Sequence, residues 1–339
     1  MPRPVMLGIV GDSGSGKTTI TRGLVRVLGE DQVTHFCTDD YHRYDRRQRA
    51  ERNITPLHPD CNHLDILAQH LRHLRENEPI MKPVYQHTDG TFAAPDYFVP
   101  GRFLVTEGLL AFYNRELCDM FDVRVYLDPP EELRRHWKVQ RDCSRRGYTT
   151  DQVLAELDRR EPDSETFIRP QRHNADIVVS FQPSTSADQE HLDCRLTLRD
   201  SLPHPDLTGV LGGGEDGVVL TDKGDGVQEL YVPGRIEHER AHEIEESIWE
   251  RMHFARHLRE QRLGEFTIGT ELHRSDSLAV VQLLILYHLV CARAAVAGGH
   301  GSTRDMDVSA KPPRPDGRRR RAAPRPERPS VRRAGGRDR

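Results

Sequence analysis

A glycine-rich stretch near the start of the chain constrains the fold more than any other part of the sequence. It follows the apolar run 5–10 and has the spacing G-x-x-x-x-G-K-[ST], which is that of the phosphate-binding P-loop. Glycines let the backbone turn its amide groups inward around phosphate oxygens. The pattern predicts a buried strand, a nucleoside triphosphate site, and a helix over roughly residues 17–28 whose N-terminal dipole faces the same anion. The residues of the predicted nucleotide site are Gly11, Asp12, Ser13, Gly14, Ser15, Gly16, Lys17, Thr18 and Thr19.

Two side chains of this motif have separate tasks. Lys17 brings a positive charge to the β- and γ-phosphates, and Thr18 offers its hydroxyl to Mg²⁺. Glu107 closes another apolar run, over residues 103–106, where a carboxylate can help Thr18 to hold the metal directly or through water. The sequence therefore predicts a magnesium site made by Thr18 and Glu107.

Charge and composition argue against several other classes of protein. The formal net charge is −4, but basic residues concentrate in a Pro-, Arg- and Gly-rich tail over 298–339, which we expect to be disordered. Its arginines 318–321 could attract an anionic partner, yet the acidic remainder of the chain gives no reason to expect nucleic acid. The six cysteines include no C-x-x-C pair and favour neither a disulfide framework nor a zinc site.

The apolar segment 278–297 is long enough to suggest a membrane span. It contains Gln282, His288 and Arg293, which are costly at the centre of a bilayer. We therefore expect a buried helix, no membrane partner and a cytoplasmic protein.

Strand and helix patterns alternate from residue 5 to residue 180, which is typical of a doubly wound α/β sheet. The sequence predicts an α/β core with a mostly parallel sheet over 1–191, a smaller α+β extension over 192–297 and the basic tail over 298–339. Residues 43–52 are dense in charge and are expected to form a mobile surface segment. Residues 79–100 are expected to form a long loop or a short hairpin. The glycines 212–214 are expected to form a turn.

A pair of acidic residues, Asp39 and Asp40, follows the predicted second strand at 32–38. Ligands of open parallel sheets bind at the carboxyl ends of the strands, so Asp39 and Glu107 should face one crevice with the P-loop. Phosphoryl transfer to an alcohol needs a group that accepts the hydroxyl proton. Asp39 is the better candidate because it lies nearer to the strand end. A turn or helix cap without a catalytic part is the alternative.

A strongly basic helix is predicted over residues 131–146. Lys138, Arg141 and Arg145 share one face of it. Beside a P-loop, such a cluster suits a lid that neutralises migrating charge. Periodicity alone fits a solvated face equally well.

Taken in chain order, these segments resemble the phosphoribulokinases, of the type found in plants and cyanobacteria. The resemblance covers residue 6 to about residue 297 and rests on GDSGSGKTT, TDDYHRYDR, PVYQHTDG, VTEGLLAFY, HWKVQRDCSRRGYT and RREPDSETFIRPQRHNADIVV. It implies a three-layer P-loop kinase core, a homodimer, and the cofactors ATP and Mg²⁺. The implied reaction phosphorylates the C1 hydroxyl of ribulose 5-phosphate to give ribulose 1,5-bisphosphate and ADP, a step of the Calvin cycle.

The resemblance also implies roles for single residues. Asp39 would be the general base, Glu107 would lie on the metal, and Lys17 and Lys138 would act on the transferring phosphate. The implied substrate-binding residues are His42, Arg46, Tyr85, His87, Arg141 and Arg146.

One departure from the family pattern concerns regulation. The plant enzymes have a redox-switch cysteine in the P-loop where this chain has Ser15, and Cys37 matches its partner. The thiol switch on ATP binding is therefore expected to be absent.

Two other functions are open at this point. One is a uridine kinase-like nucleoside kinase with the same core, and the other is a non-catalytic P-loop module that only binds ATP. Arg46 and the basic helix favour a phosphorylated acceptor over a neutral nucleoside.

Overall fold

The fold is described by a computed structural model, which covers residues 2–185, 188–208, 210–211, 217–252, 258, 260–268, 271–299 and 303. Its strands are β1 (Val5–Gly11), β2 (Val33–Cys37), β3 (Ile80–Gln86), β4 (Thr91–Phe98), β5 (Phe103–Gly108), β6 (Val123–Leu127), β7 (Ile177–Thr185), β8 (Asp188–Arg199), β9 (Val219–Gly224), β10 (Val227–Val232), β11 (Glu265–Ile268) and β12 (Glu271–Arg274). Its α-helices are α1 (Lys17–Leu28), α2 (Arg46–Glu51), α3 (Leu64–Arg75), α4 (Arg115–Cys118), α5 (Glu131–Arg146), α6 (Thr150–Asp163), α7 (His238–Glu250) and α8 (Asp276–Ala297).

Within these described residues, one eight-stranded sheet organises the fold, in the order β2-β5-β1-β6-β7-β8-β10-β9. Neighbouring strands in the run β2-β5-β1-β6-β7 pair in parallel, whereas the run β7-β8-β10-β9 is joined by antiparallel pairing. Parallel pairing of β2, β5 and β1 brings their carboxyl ends to one edge of the sheet. The predicted mostly parallel α/β sheet is confirmed.

The sheet has a core on each face. Alternate side chains of a strand point to opposite faces, and in β1 Val5, Leu7 and Ile9 belong to one core while Met6 and Val10 belong to the other. The first core also takes residues from α1, α7 and α8, and the second takes residues from α3 and α4. Helices therefore cover both faces, and the core has the three layers that were expected.

The apolar helix α8 lies in the first of these cores. Ser275 caps it by accepting a hydrogen bond from the Leu278 amide. Among the described residues, α8 is long and apolar enough to cross a membrane, but 72% of its most apolar stretch is buried inside the protein. The expectation of a buried C-terminal helix is confirmed.

The segment 43–52 differs from its prediction as a mobile surface stretch. It contains α2, which begins with a capping box: Asp45 accepts a hydrogen bond from the Gln48 amide, and the Gln48 side chain accepts one from the Asp45 amide. Arg49 of this helix is buried. Most of its residues are exposed, as expected of a surface segment, but reciprocal capping and a buried arginine give it a regular structure that the prediction did not include.

Three further expectations can be compared with the described residues. Residues 79–100 form the β3–β4 hairpin, one of the two forms that the sequence left open. The boundary predicted between residues 191 and 192 lies inside β8, so the sheet of the core continues into the segment expected to form an extension. Glycines 212–214 and nearly all of the tail from residue 298 lie outside the described residues.

Candidate active site

The P-loop joins β1 to α1 at the carboxyl edge of the sheet. Gly14 and Gly16 have φ of +89° and +94°, conformations that residues with a Cβ rarely adopt. A Cβ on Gly14 would also lie 3.0 Å from Cβ of Lys138 and 3.1 Å from the carbonyl oxygen of Arg134, both in α5. The basic helix therefore packs directly on the loop, which favours the lid interpretation over a solvated face.

Polar groups converge on the inside of this loop. Lys17 Nζ donates hydrogen bonds of 2.8 Å to the carbonyl oxygens of Gly11 and Asp12. Burial lowers the pKa of Lys17, although the surrounding carboxylates, Glu107 most strongly, oppose this shift. Ser15 Oγ is buried and has no hydrogen-bond partner in the described part of the chain. Together with the first amides of α1, which lack partners within the helix, these groups suit a bound phosphate chain.

Glu107 is the penultimate residue of β5 and lies next to α1. Its Oε1 accepts a hydrogen bond of 3.2 Å from Thr18 Oγ1, and its Oε2 accepts one of 3.0 Å from Thr21 Oγ1. Burial raises the pKa of Glu107, but the neighbouring His35 and the charge of Lys17 outweigh burial and leave this pKa low. The described residues contain no group of three or more metal-ligating side chains. One hydroxyl and one carboxylate fit Mg²⁺, which takes few protein ligands and keeps water or phosphate oxygens.

Asp39 and Asp40 are placed in different surroundings. Asp40 forms an ion pair of 2.6 Å with Lys82 and accepts a hydrogen bond from the Tyr85 amide, so it anchors the β3–β4 hairpin. Asp39 lines the cavity beside the P-loop, with His87 Nε2 3.8 Å from its Oδ2. The carboxylate that remains available to a ligand is that of Asp39.

The charges around Asp39 keep it ionised. Burial raises the pKa of this carboxyl group, but the charges of His42, His87, Lys17 and Arg160 act in the opposite direction and together leave the pKa below its ordinary value. Asp39 can therefore accept a proton at neutral pH.

Basic and aromatic side chains form the wall beyond Asp39. The rings of His42 and Tyr85 meet edge to face with centroids 4.9 Å apart. Arg49 donates a hydrogen bond of 2.6 Å to the Tyr85 hydroxyl, and Arg46 donates one of 2.7 Å to the carbonyl oxygen of His87. This wall can bind an anionic group.

Helix α5 brings a second set of charges to the cavity. The Asp142 carboxylate lies 2.9 Å from Lys138 Nζ and 2.8 Å from Arg141 Nε. Arg134 donates a hydrogen bond of 2.8 Å to the carbonyl oxygen of Ser13 and so fixes α5 to the P-loop. Burial, together with the charges of Arg141 and Arg160, lowers the pKa of Lys138 to about 8 despite the attraction of Asp142.

The cavity beside the P-loop brings most predicted site residues together, namely Ser13, Gly14, Ser15, Gly16, Lys17, Thr18, Thr19, Asp39, His42, Arg46, Tyr85, His87, Glu107, Lys138 and Arg141. Gly11 and Asp12 support the loop through their contacts with Lys17 and do not line the cavity. The side chain of Arg146 lies outside the described residues.

The charged and polar residues that line this cavity and that sequence reasoning missed include His35, Arg49, Asp142 and Arg160. Arg49 had a detectable signal, because Asp45 and Gln48 have capping-box spacing and imply a helix that orders this segment. Asp142 follows Lys138 by four residues, the spacing of a helical ion pair. No local pattern pointed to His35.

The thiols bear on the P-loop switch, whose absence stays a prediction. All six cysteines lie within the described residues and are free. Burial raises the pKa of Cys37, and the negative charges of Asp39 and Glu107 raise it further. This thiol therefore stays protonated and is a poor nucleophile.

Two kinds of kinase are similar in sequence to this core. At 38% identity over 184 residues, a phosphoribulokinase of Synechocystis sp. covers 54% of this chain and is itself covered over 55% of its length. A uridine kinase of Chlamydia pneumoniae is 33% identical over 182 residues, which are 52% of this chain and 81% of that enzyme. The chain thus spans about half the length of the curated phosphoribulokinases that it matches in sequence.

A solved phosphoribulokinase from Rhodobacter spheroides has a similar fold. Its TM-score is 0.55 at 20% sequence identity, and the match covers 74% of this chain and 97% of that one. The model of the Phosphoribulokinase / Uridine kinase family matches residues 6–187, which include the P-loop, Asp39, Glu107 and α5. With more than half of its length matched, the chain belongs to the phosphoribulokinase/uridine kinase family.

Proposed function

We propose that this protein is a phosphoribulokinase, a phosphotransferase with an alcohol acceptor. It transfers the γ-phosphoryl group of ATP to the C1 hydroxyl of ribulose 5-phosphate, which gives ribulose 1,5-bisphosphate and ADP as in the Calvin cycle. The observation that carries the proposal is Asp39, an ionised carboxylate that lines the same cavity as the P-loop and has basic side chains beside it.

In this proposal the donor is bound by the nucleotide-site residues Gly11 to Thr19. Lys17 and the amides at the start of α1 bind the β- and γ-phosphates. Thr18 and Glu107 hold Mg²⁺, which when bound neutralises phosphate charge and orients the γ-phosphoryl group. Lys138 of α5 lies against Gly14 and can stabilise charge on the transferring group.

Asp39 accepts the C1 hydroxyl proton as the new O–P bond forms and the bond to the ADP oxygen breaks. The sugar phosphate is bound by His42, Arg46, Tyr85 and His87 on one side. Arg141 and Arg146 of α5 bind it from the other. Arginine suits this role because its guanidinium group can bind a phosphate in a bidentate way.

Uridine kinase activity is the second candidate, because the match to a uridine kinase covers most of that enzyme's length. A neutral nucleoside, however, gives no partner to the cationic wall of Arg46 and Arg49. A non-catalytic ATP-binding module is the third candidate, and it gives no use to an ionised Asp39.

A coupled assay of ADP formation with Mg²⁺, ATP and either acceptor tests the proposal. We expect turnover with ribulose 5-phosphate and identification of the bisphosphate by mass spectrometry. Turnover with uridine alone would favour the nucleoside kinase, and ATP binding without turnover of either acceptor would favour the binding module.

We further propose that the protein acts in the cytoplasm as a homodimer, with neither a membrane nor a nucleic acid as partner. Family likeness supports the dimer, and the burial of α8 supports the absence of a membrane span. Light scattering of the purified chain measures the oligomeric state.

A further inference from the structure

An edge-strand histidine lies beside the carboxylate of the candidate metal site. His35 is in β2, which is at the edge of the sheet and pairs with β5. It shares a face of β2 with Val33, which packs in the core on the α1 side. From this position His35 Nε2 comes within 3.5 Å of Glu107 Oε1. About a third of the His35 side chain is exposed, and it lines the cavity.

Two threonines contact the Glu107 carboxylate, and His35 is its third neighbour. A threonine hydroxyl that binds a cation through its oxygen must donate its proton elsewhere, and Glu107 Oε1 is the acceptor for Thr18. Thr21 holds the other carboxylate oxygen. Both threonines belong to α1, so they restrain the carboxylate from the helix only. His35 approaches Oε1 from the neighbouring strand.

We propose that His35 is a positioning residue: its Nε2–H group holds Glu107 Oε1 toward Thr18 and so organises the Mg²⁺ site. A separation of 3.5 Å is long for a hydrogen bond, as contacts of active-site groups often are before ligands bind. Partners that orient a metal ligand determine much of a site's affinity for the metal. The inference rests on the proposed function only in taking Mg²⁺-ATP as the donor.

Calorimetry of ATP binding to the full chain tests this role without any acceptor. Each variant is titrated with ATP in excess Mg²⁺ and again in EDTA, and the ratio of the two Kd values gives the contribution of the metal. His35→Leu removes the donor and His35→Gln keeps one. His242→Leu is the matched control, because His242 Nε2 is 3.4 Å from Glu246 on the exposed face of α7 and does not line the cavity.

We expect His35→Leu to reduce the gain in affinity from Mg²⁺ about tenfold, with ATP affinity in EDTA unchanged. His35→Gln should restore most of the gain, and His242→Leu should leave it intact. A general packing defect would weaken ATP binding in both buffers and would not be rescued by Gln.

An unchanged ratio in His35→Leu, or an equal loss in His35→Gln, would overturn the proposal. Circular dichroism checks folding, and His35→Ala replaces the Leu variant if that one does not fold. Equal ATP affinity in Mg²⁺ and EDTA for the unmodified chain would instead overturn Mg²⁺-ATP as the donor, and the role of His35 with it.

Discussion

At the scale of single residues, two adjacent aspartates have different partners. The Asp40 carboxylate is paired with the buried ammonium group of Lys82, whereas Asp39 faces the cavity. Adjacent residues of the same type can thus have separate structural and chemical roles. The separation gives a test in which one Asp→Asn substitution should mainly lower activity and the other should mainly lower stability.

We predict that Asp39→Asn lowers kcat by about 10²-fold or more, because loss of a general base typically has this effect. ATP affinity should change little. Asp40→Asn should instead lower the free energy of unfolding by about 3 kcal/mol, since it leaves the Lys82 charge buried without its partner. Steady-state kinetics measure kcat of both variants, and urea unfolding measures their free energies of unfolding. An Asp39→Asn enzyme with full kcat would contradict the assignment of the base.

The residues that sequence analysis could identify are those in motifs. Lys17, Thr18 and Glu107 were identified because loop spacing and strand ends determine where they lie. His35 and Arg160 were missed because their proximity to the site depends on which strands pair and how α6 packs. Such contacts between distant parts of the chain leave no local pattern in the sequence.

At the scale of elements, α5 is more than a basic surface helix. It is fixed to the P-loop by Arg134, and it places the buried Lys138 beside Gly14. The sequence predicted its bounds and its charge but left its location open, because a 3.6-residue period gives the face of a helix and not its neighbour. The strands β8 and β10 are a similar case. The sequence predicted an α+β extension from residue 192, and only the pairing of β8 with β7 reveals that these strands extend the main sheet.

We predict that kcat/KM falls as the pH rises through about 8, because the pKa of Lys138 is lowered to about 8 and its positive charge is then lost. The effect of Lys138 on stability has the opposite sign. The unfolded chain keeps this proton to higher pH than the folded one, so the free energy of unfolding should rise as the pH passes 8. Lys138→Arg should move the decline in activity to higher pH. If kcat/KM declined over the same alkaline pH range in both enzymes, this prediction would be contradicted.

At the scale of the whole molecule, the folded core extends further along the chain than the residues that match the family. The match ends at residue 187, but the core on the α1 side also contains residues of α7 and α8. Gln282 of α8 lies against Gly23 of α1 and accepts a hydrogen bond from the Gly264 amide. The helix that follows the P-loop therefore depends for its packing on the last described helix of the chain.

This dependence gives a stability prediction with an internal control. Leu284 of α8 is fully buried, whereas 56% of Leu272 in β12 is exposed. Leu284→Ala should lower the free energy of unfolding by about 2–5 kcal/mol, because it removes buried methyl groups and leaves a cavity. Leu272→Ala should change it by less than about 0.5 kcal/mol. Urea unfolding measures both changes in free energy, and unchanged m-values would show that stability alone has changed. Because α8 supports α1, Leu284→Ala should also weaken ATP binding. Equal stability of the two variants would mean that α8 is not part of the folded core.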